Sequence, residues 1–186
     1  MTRRPALLTW SLAMVLALFM ALSACSKKKE EAKAPAPPVG NVTIESVSMA
    51  PDVTLRAADG STKRLQEYQG KIVFLNFFAT WNGDSKQEIP ILNNLAAQYV
   101  RYDVVVLGVA IDTNEPGALN AFLATNPVKY PVFYNGSEVV PKFGGVRKLP
   151  ATIILARDGR IFRKGLGLQT GRYFEDTIHD IMGQRL

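Results

Sequence analysis

The chain has 186 residues, 47% of them apolar and 20% charged, enough for one domain with a real core plus a short appendage. Its net charge of +6 falls to +4 once Arg3 and Arg4 are set aside, and Lys27, Lys28, Lys29 and Lys33 place more of the excess ahead of the domain. So mild a balance argues against a nucleic-acid-binding stripe, and a single cysteine excludes any intramolecular disulfide.

The first segment is an address label. Met1–Pro5 carries two arginines, and residues 6–22 carry no charge, which is the layout of a signal peptide. Leu22-Ser23-Ala24-Cys25 then resembles a bacterial lipobox. That resemblance implies a signal peptide over 1–24 and a mature chain starting at a diacylated Cys25, anchored in a membrane of the bacterial envelope. Ser26 after it resembles outer-membrane sorting. The competing reading is an uncleaved anchor, for which the apolar run is at the short limit. Lipidated sulfur is a thioether, so Cys25 offers no thiol. Residues 25–48, rich in Lys, Glu, Ala and Pro, read as a flexible tether, and the folded domain is expected over 49–186.

Within that domain strands and helices alternate. Val53–Arg56 and Thr62–Leu65 flank the turn Asp59-Gly60 as a hairpin, with a helical turn at Leu65–Tyr68. Ile72–Phe78 (IVFLNFF) is an almost unbroken apolar run, as befits a strand buried on both faces, and Phe74, Phe77 and Phe78 belong to the core. Ser85–Val100 has apolar residues at helical spacing, with a kink expected at Pro90. A second buried strand spans Asp103–Ile111, followed by a helix at Gly117–Ala124 and a short strand at Pro131–Tyr134. After a brief helix at Ser137–Phe143, Ala151–Ala156 and Arg160–Gly165 flank Asp158-Gly159 as a hairpin, and Arg172–Met182 forms an amphipathic helix. This order predicts an α/β fold with a mixed central sheet flanked by helices on both faces and an N-terminal hairpin extension.

Five blocks carry a family resemblance: "APDVTL" (50–55), "GKIVFLNFFATW" (70–81), "VVVLGVAID" (104–112), "YPVFYN" (130–135) and "GVRKLPATIILARDGRI" (145–161). Together they resemble the thioredoxin superfamily, in its TlpA/ResA-like, redoxin-type envelope branch, over residues 49–182. The resemblance implies a thioredoxin-like fold and thiol-disulfide oxidoreductase ancestry. It also implies a cis bond at Pro150, whose preceding backbone at Leu149 accepts an extended polypeptide, and a partly exposed Trp81 beside the site.

The centre of the motif departs from the family. W-C-x-x-C is here Trp81-Asn82-Gly83-Asp84-Ser85. Asn82 stands where the attacking thiolate would be and Ser85 where the resolving cysteine would be, so a mixed disulfide cannot form on this chain. The only histidine, His179, lies far along the sequence, and nothing places it near Ser85 as a base. Asn82, Asp84 and Glu88 do not make a calcium loop, so no metal or cofactor is expected.

Ser85-x-x-Glu88 instead fits a capping box, with Asp84 as the alternative cap. Glu88 also matches a carboxylate position of the ResA-like pattern, where proton management is the implied role; without thiols beside it, capping is the expected role. Arg147 and Lys148 read as a solvated rim that would suit an acidic partner. The functional expectation is a non-redox module binding an extended polypeptide or envelope protein through Trp81, Leu149 and Pro150. The alternative is a redoxin-type thiol-disulfide enzyme working with cysteines supplied by a partner.

Overall fold

Two apolar, β-rich runs form the middle of the structure: β3 (Ile72–Phe78), buried throughout, and β4 (Val104–Ala110), buried except at Val105. The computed structural model describes residues 48–183; the expected signal peptide, Cys25 and the tether ahead of residue 48 lie outside the described residues. Before β3 come β1 (Thr54–Arg56), β2 (Thr62–Arg64) and a 3-10 turn at Leu65–Tyr68. After it come α1 (Gly83–Tyr99) and then, beyond β4, α2 (Pro116–Thr125) and β5 (Val132–Phe133). A one-turn helix α3 (Gly136–Val139) runs into a 3-10 turn at Val140–Phe143. Last come β6 (Ala151–Leu155), β7 (Ile161–Leu166) and α4 (Gly171–Gly183).

The five-stranded sheet has the order β5-β4-β3-β6-β7. β3, β4 and β5 are parallel, while β6 and β7 join as an antiparallel hairpin. β1 and β2 form a separate hairpin, the N-terminal extension. Asn135 fastens it to the domain: its buried side chain accepts from the Arg56 N–H and donates to the Thr54 carbonyl, both at 2.9 Å.

Alternation along β3 divides the core in two. Ile72 and Phe74 face Leu92 and Leu95 of α1 and Phe174 and Ile178 of α4. Phe74 meets Phe174 edge-on, with ring centroids 5.6 Å apart. Val73, Leu75 and Phe77 face the other way, against Leu55, Leu65, Val139 and Phe143. Each such side chain contributes roughly 1.5–3 kcal/mol on burial. Helices thus lie on both faces, in the thioredoxin-like arrangement expected. α1 starts at Gly83, two residues earlier than the periodicity suggests, and continues through Pro90, which has no N–H to give to the Lys86 carbonyl.

Candidate functional site

The site forms where β3 hands over to α1. Asn82 has extended backbone angles (φ −82°, ψ 124°), and its Oδ1 accepts the Ser85 N–H at 2.8 Å. Asn82 is therefore the N-cap, which corrects the expected cap at Asp84, Ser85 and Glu88. Asn caps as well as Ser or Asp, and the exposed Gly83 after it leaves the first turn unhindered. Asp84 remains in the first turn, where its charge favours the helix's positive end. Ser85 and Glu88 belong to the buried stripe of α1, with Ile89, Leu92 and Leu95. The spacing S-x-x-E suits a capping box and an inward-facing i, i+3 pair equally. Here it is the second.

Ser85 is 1% exposed, and its Oγ has no hydrogen-bond partner among the described residues. His179 does not serve it. The imidazole packs against the Tyr99 ring, 6.4 Å between centroids, and Tyr99 lies at the far end of α1. From Ser85 to Tyr99 is about 20 Å of helix at ~1.5 Å per residue. A serine nucleophile without a base in reach is inert.

Glu88, also 1% exposed, is the buried centre of the site. Its Oε1 accepts the Gln169 N–H at 2.9 Å, and its Oε2 accepts from Asn76 Nδ2 at 2.7 Å and, at a longer 3.5 Å, from Thr152 Oγ1. Asn76 Nδ2 also donates to Thr152 Oγ1 at 2.9 Å, across the β3–β6 register in which the two residues are partners. Burial pushes the Glu88 carboxyl up to about 7; the Gln169, Asn76 and Thr152 donors offset part of that shift, and the Asp84 charge adds to it. Among the described residues no ion pair neutralises it.

Trp81 is the exposed part, with 69% of its surface open to solvent. The loop before it is pinned: Thr80 donates from its N–H (3.1 Å) and its Oγ1 (2.6 Å) to the Asp112 carboxylate, just beyond β4. The Leu149–Pro150 bond is cis. Phe77 pairs with Ala151 in the β3–β6 register, so the next step sets Phe78 opposite Pro150. The Trp81 loop and the Leu149–Pro150 loop thus leave the same end of the sheet. The Pro150 carbonyl is already taken by the Gly167 N–H at 2.7 Å.

Asn76, Thr152, Gln169 and Asp112 went unrecognised in the sequence as site residues. Asn76 is the one polar residue in the run IVFLNFF, and Asp112 closes an apolar strand; those were the available signals. Among the described residues no group of three or more His, Cys, Asp or Glu is placed to hold a metal ion.

A family model described as the AhpC/TSA family matches residues 47–164. The chain belongs to the AhpC/TSA family. This AhpC/TSA-family chain is similar to the thiol-disulfide oxidoreductase ResA of Geobacillus thermodenitrificans, at 32% identity over 135 residues, which cover 72% of this chain and 76% of that protein. Its likeness to ResA of Bacillus thuringiensis subsp. konkukian is 30% over 134 residues, 71% and 76% of the two chains. Among solved structures, one described as the thiol:disulfide interchange protein DsbE of Chlorobium tepidum matches with a TM-score of 0.68 at 26% identity, over 76% of this chain and 100% of that one. The pneumococcal exposed lipoprotein thioredoxin Etrx1 shares the fold, with a TM-score of 0.63 at 24% identity over 70% of this chain and 99% of that one. These likenesses make the domain a TlpA/ResA-like member of the thioredoxin superfamily.

Proposed function

We propose that this AhpC/TSA-family chain is a lipid-tethered module of the bacterial envelope that binds an extended polypeptide without thiol chemistry. The observation that carries the reading is the division of labour in the motif. Asn82 is engaged in capping α1 and the Ser85 hydroxyl is buried without a base, while Trp81 beside them is 69% exposed. An amide and an isolated alcohol cannot attack a disulfide. An exposed indole beside a loop that accepts an extended chain in strand fashion would be a binding surface that needs no sulfur.

The envelope location rests on the basic-then-apolar start and the lipobox-like Leu22-Ser23-Ala24-Cys25. It is supported by likeness to a protein described as an exposed lipoprotein. Mass spectrometry of the mature N-terminus should show acylated Cys25; an intact Met1 would contradict it.

The full chain in neutral detergent, titrated with a fluorescein-labelled, cysteine-free, unstructured peptide, tests the binding reading. Binding is expected to be weak, reversible and the same with and without dithiothreitol. Trp81→Ala should weaken it about tenfold while leaving the melting temperature nearly unchanged. Equal binding by parent and Trp81→Ala would contradict the reading.

One observation favours a second reading. Glu88, whose carboxyl burial pushes up to about 7, lies one helical turn below the motif. A thiol pair brought by a partner would find there a group able to accept or release a proton, making the chain an accessory to thiol-disulfide exchange rather than its agent.

A further inference from the structure

Many cations of the domain are paired, while Lys86, Arg101, Lys129, Arg147 and Lys148 have no ion pair among the described residues. Arg56 meets Glu138 at 3.0 Å, Arg64 meets Asp52 at 2.6 Å, Arg163 meets Asp180 at 2.8 Å and Arg172 meets Asp176 at 3.0 Å. Arg147 and Lys148 are exposed, and neither has an ion pair or hydrogen bond among the described residues. They immediately precede Leu149–Pro150, the loop that shares an end of the sheet with Trp81.

Lys148 runs close to another loop. A Cβ built on Gly167 would lie 2.6 Å from its Cε and 2.8 Å from its Nζ, so the lysine stem crosses that glycine closely. Gly167 has φ +78° and no side chain, which suits both its own backbone and the passage of the lysine. The same loop donates Gln169 N–H to Glu88 and Gly167 N–H to the Pro150 carbonyl. The Lys148 side chain thus passes over Gly167, in the loop that also bonds the Pro150 carbonyl. The other rim is mixed in sign, with Asp84 and Lys86 both exposed at the start of α1.

We infer that the groove between Trp81 and Leu149–Pro150 selects an acidic polypeptide segment, seated with a carboxylate side chain toward Arg147 and Lys148. This rests on the groove reading above and adds the chemistry of the partner to it. Two cations on one loop beside a strand-pairing backbone suit a peptide better than a broad anionic membrane surface, which would require a wider cationic plane. Exposed charges act mainly on encounter rate and selection, so a preference of about three- to tenfold is expected at low salt.

Two otherwise identical fluorescein-labelled, cysteine-free peptides, one with glutamates and one with glutamines at alternate positions, are titrated with the full chain in neutral detergent. The glutamate peptide should bind about three- to tenfold more tightly at low salt. The ratio should shrink as the Debye length falls from ~30 Å at ~0.01 M salt to ~3 Å at ~1 M. Arg147→Ala/Lys148→Ala should bring the ratio close to one, while Arg147→Lys/Lys148→Arg keeps it. Trp81→Ala should weaken both peptides and keep the ratio. A parent ratio of one, or an alanine variant with the parent's ratio, overturns the acidic preference and leaves the groove standing. Indifference of both peptides to Trp81→Ala overturns the groove reading and this inference with it. If the alanine pair lowers binding to phosphatidylglycerol vesicles but leaves the peptide ratio intact, the cations serve the membrane and the inference is wrong.

Discussion

The two halves of α1 put opposite chemistry on the same inward face. Toward the C-terminal half, Leu92 and Leu95 are buried among Phe74, Phe174 and Ile178. In the N-terminal half the same face presents Ser85 and Glu88, each 1% exposed, and among the described residues the hydroxyl has no partner and the carboxyl no cation. The apolar half is what folding selects for, because close-packed side chains return free energy for every contact. The polar half is what a site leaves behind. Its desolvation is only partly compensated, and a protein that needed only a scaffold would gain by replacing it. The contrast separates the residues that hold the domain together from those kept at its expense.

Truncating the apolar half should give the largest effect. Leu92→Ala removes a side chain with 0% exposure and should cost about 2–5 kcal/mol of stability, measured by urea unfolding. A cost below about 1 kcal/mol would mean that α1 packs less tightly than the structure shows.

Glu88 should be next, and its effect depends on pH. Its folded carboxyl is raised from 4.5 to about 7, so the native state keeps a proton that the unfolded chain has already lost. Stability from this group is therefore fully present below about 4.5, declines as pH rises through the window to about 7, and is lowest above it. The total swing is about 3 kcal/mol, an order-of-magnitude figure. Parent stability should fall between about pH 5 and about pH 8 by more than that of Glu88→Gln, which lacks the titrating group. Parallel pH profiles would show that the carboxyl titrates normally.

The smallest effects distinguish the two ways of reading the helix start. Asn82→Ala should cost about 0.5–2 kcal/mol through loss of the cap. Ser85→Ala removes only an unpartnered buried hydroxyl and should be neutral or stabilise by up to about 1 kcal/mol. The reverse order would restore the capping box at Ser85. Thermal unfolding of the two variants decides it.

How much of this was legible in advance follows from where each signal is stored. The strands were readable because IVFLNFF and DVVVLGVAI are apolar runs, and the hairpins because Asp59-Gly60 and Asp158-Gly159 are turn dipeptides. Trp81, Asn82 and Ser85 were found from the motif's position. The roles of Ser85 and Glu88 were misread because their spacing is shared by a cap and a buried pair, and local sequence does not say which. What decides it is Asn76 on β3, Thr152 on β6 and Gln169 beyond β7, three distant segments that converge only when the sheet forms. Asp112 was hidden in the same way, since its partner Thr80 lies across the parallel β3–β4 pair.

We propose that thiol chemistry has been lost from the motif while its surroundings keep the thioredoxin-like fold. Turbidimetric reduction of insulin by dithiothreitol tests this most directly, comparing the full chain with Asn82→Cys/Ser85→Cys. The parent should match the protein-free blank, because Asn82 and Ser85 occupy the two sulfur positions and Cys25 is the chain's only cysteine. The double cysteine variant should accelerate the reaction, with its first thiol in the cap position of α1, where a helix N-terminus lowers thiol pKa. Turnover by the parent above the blank, retained after Cys25→Ser, would contradict the account.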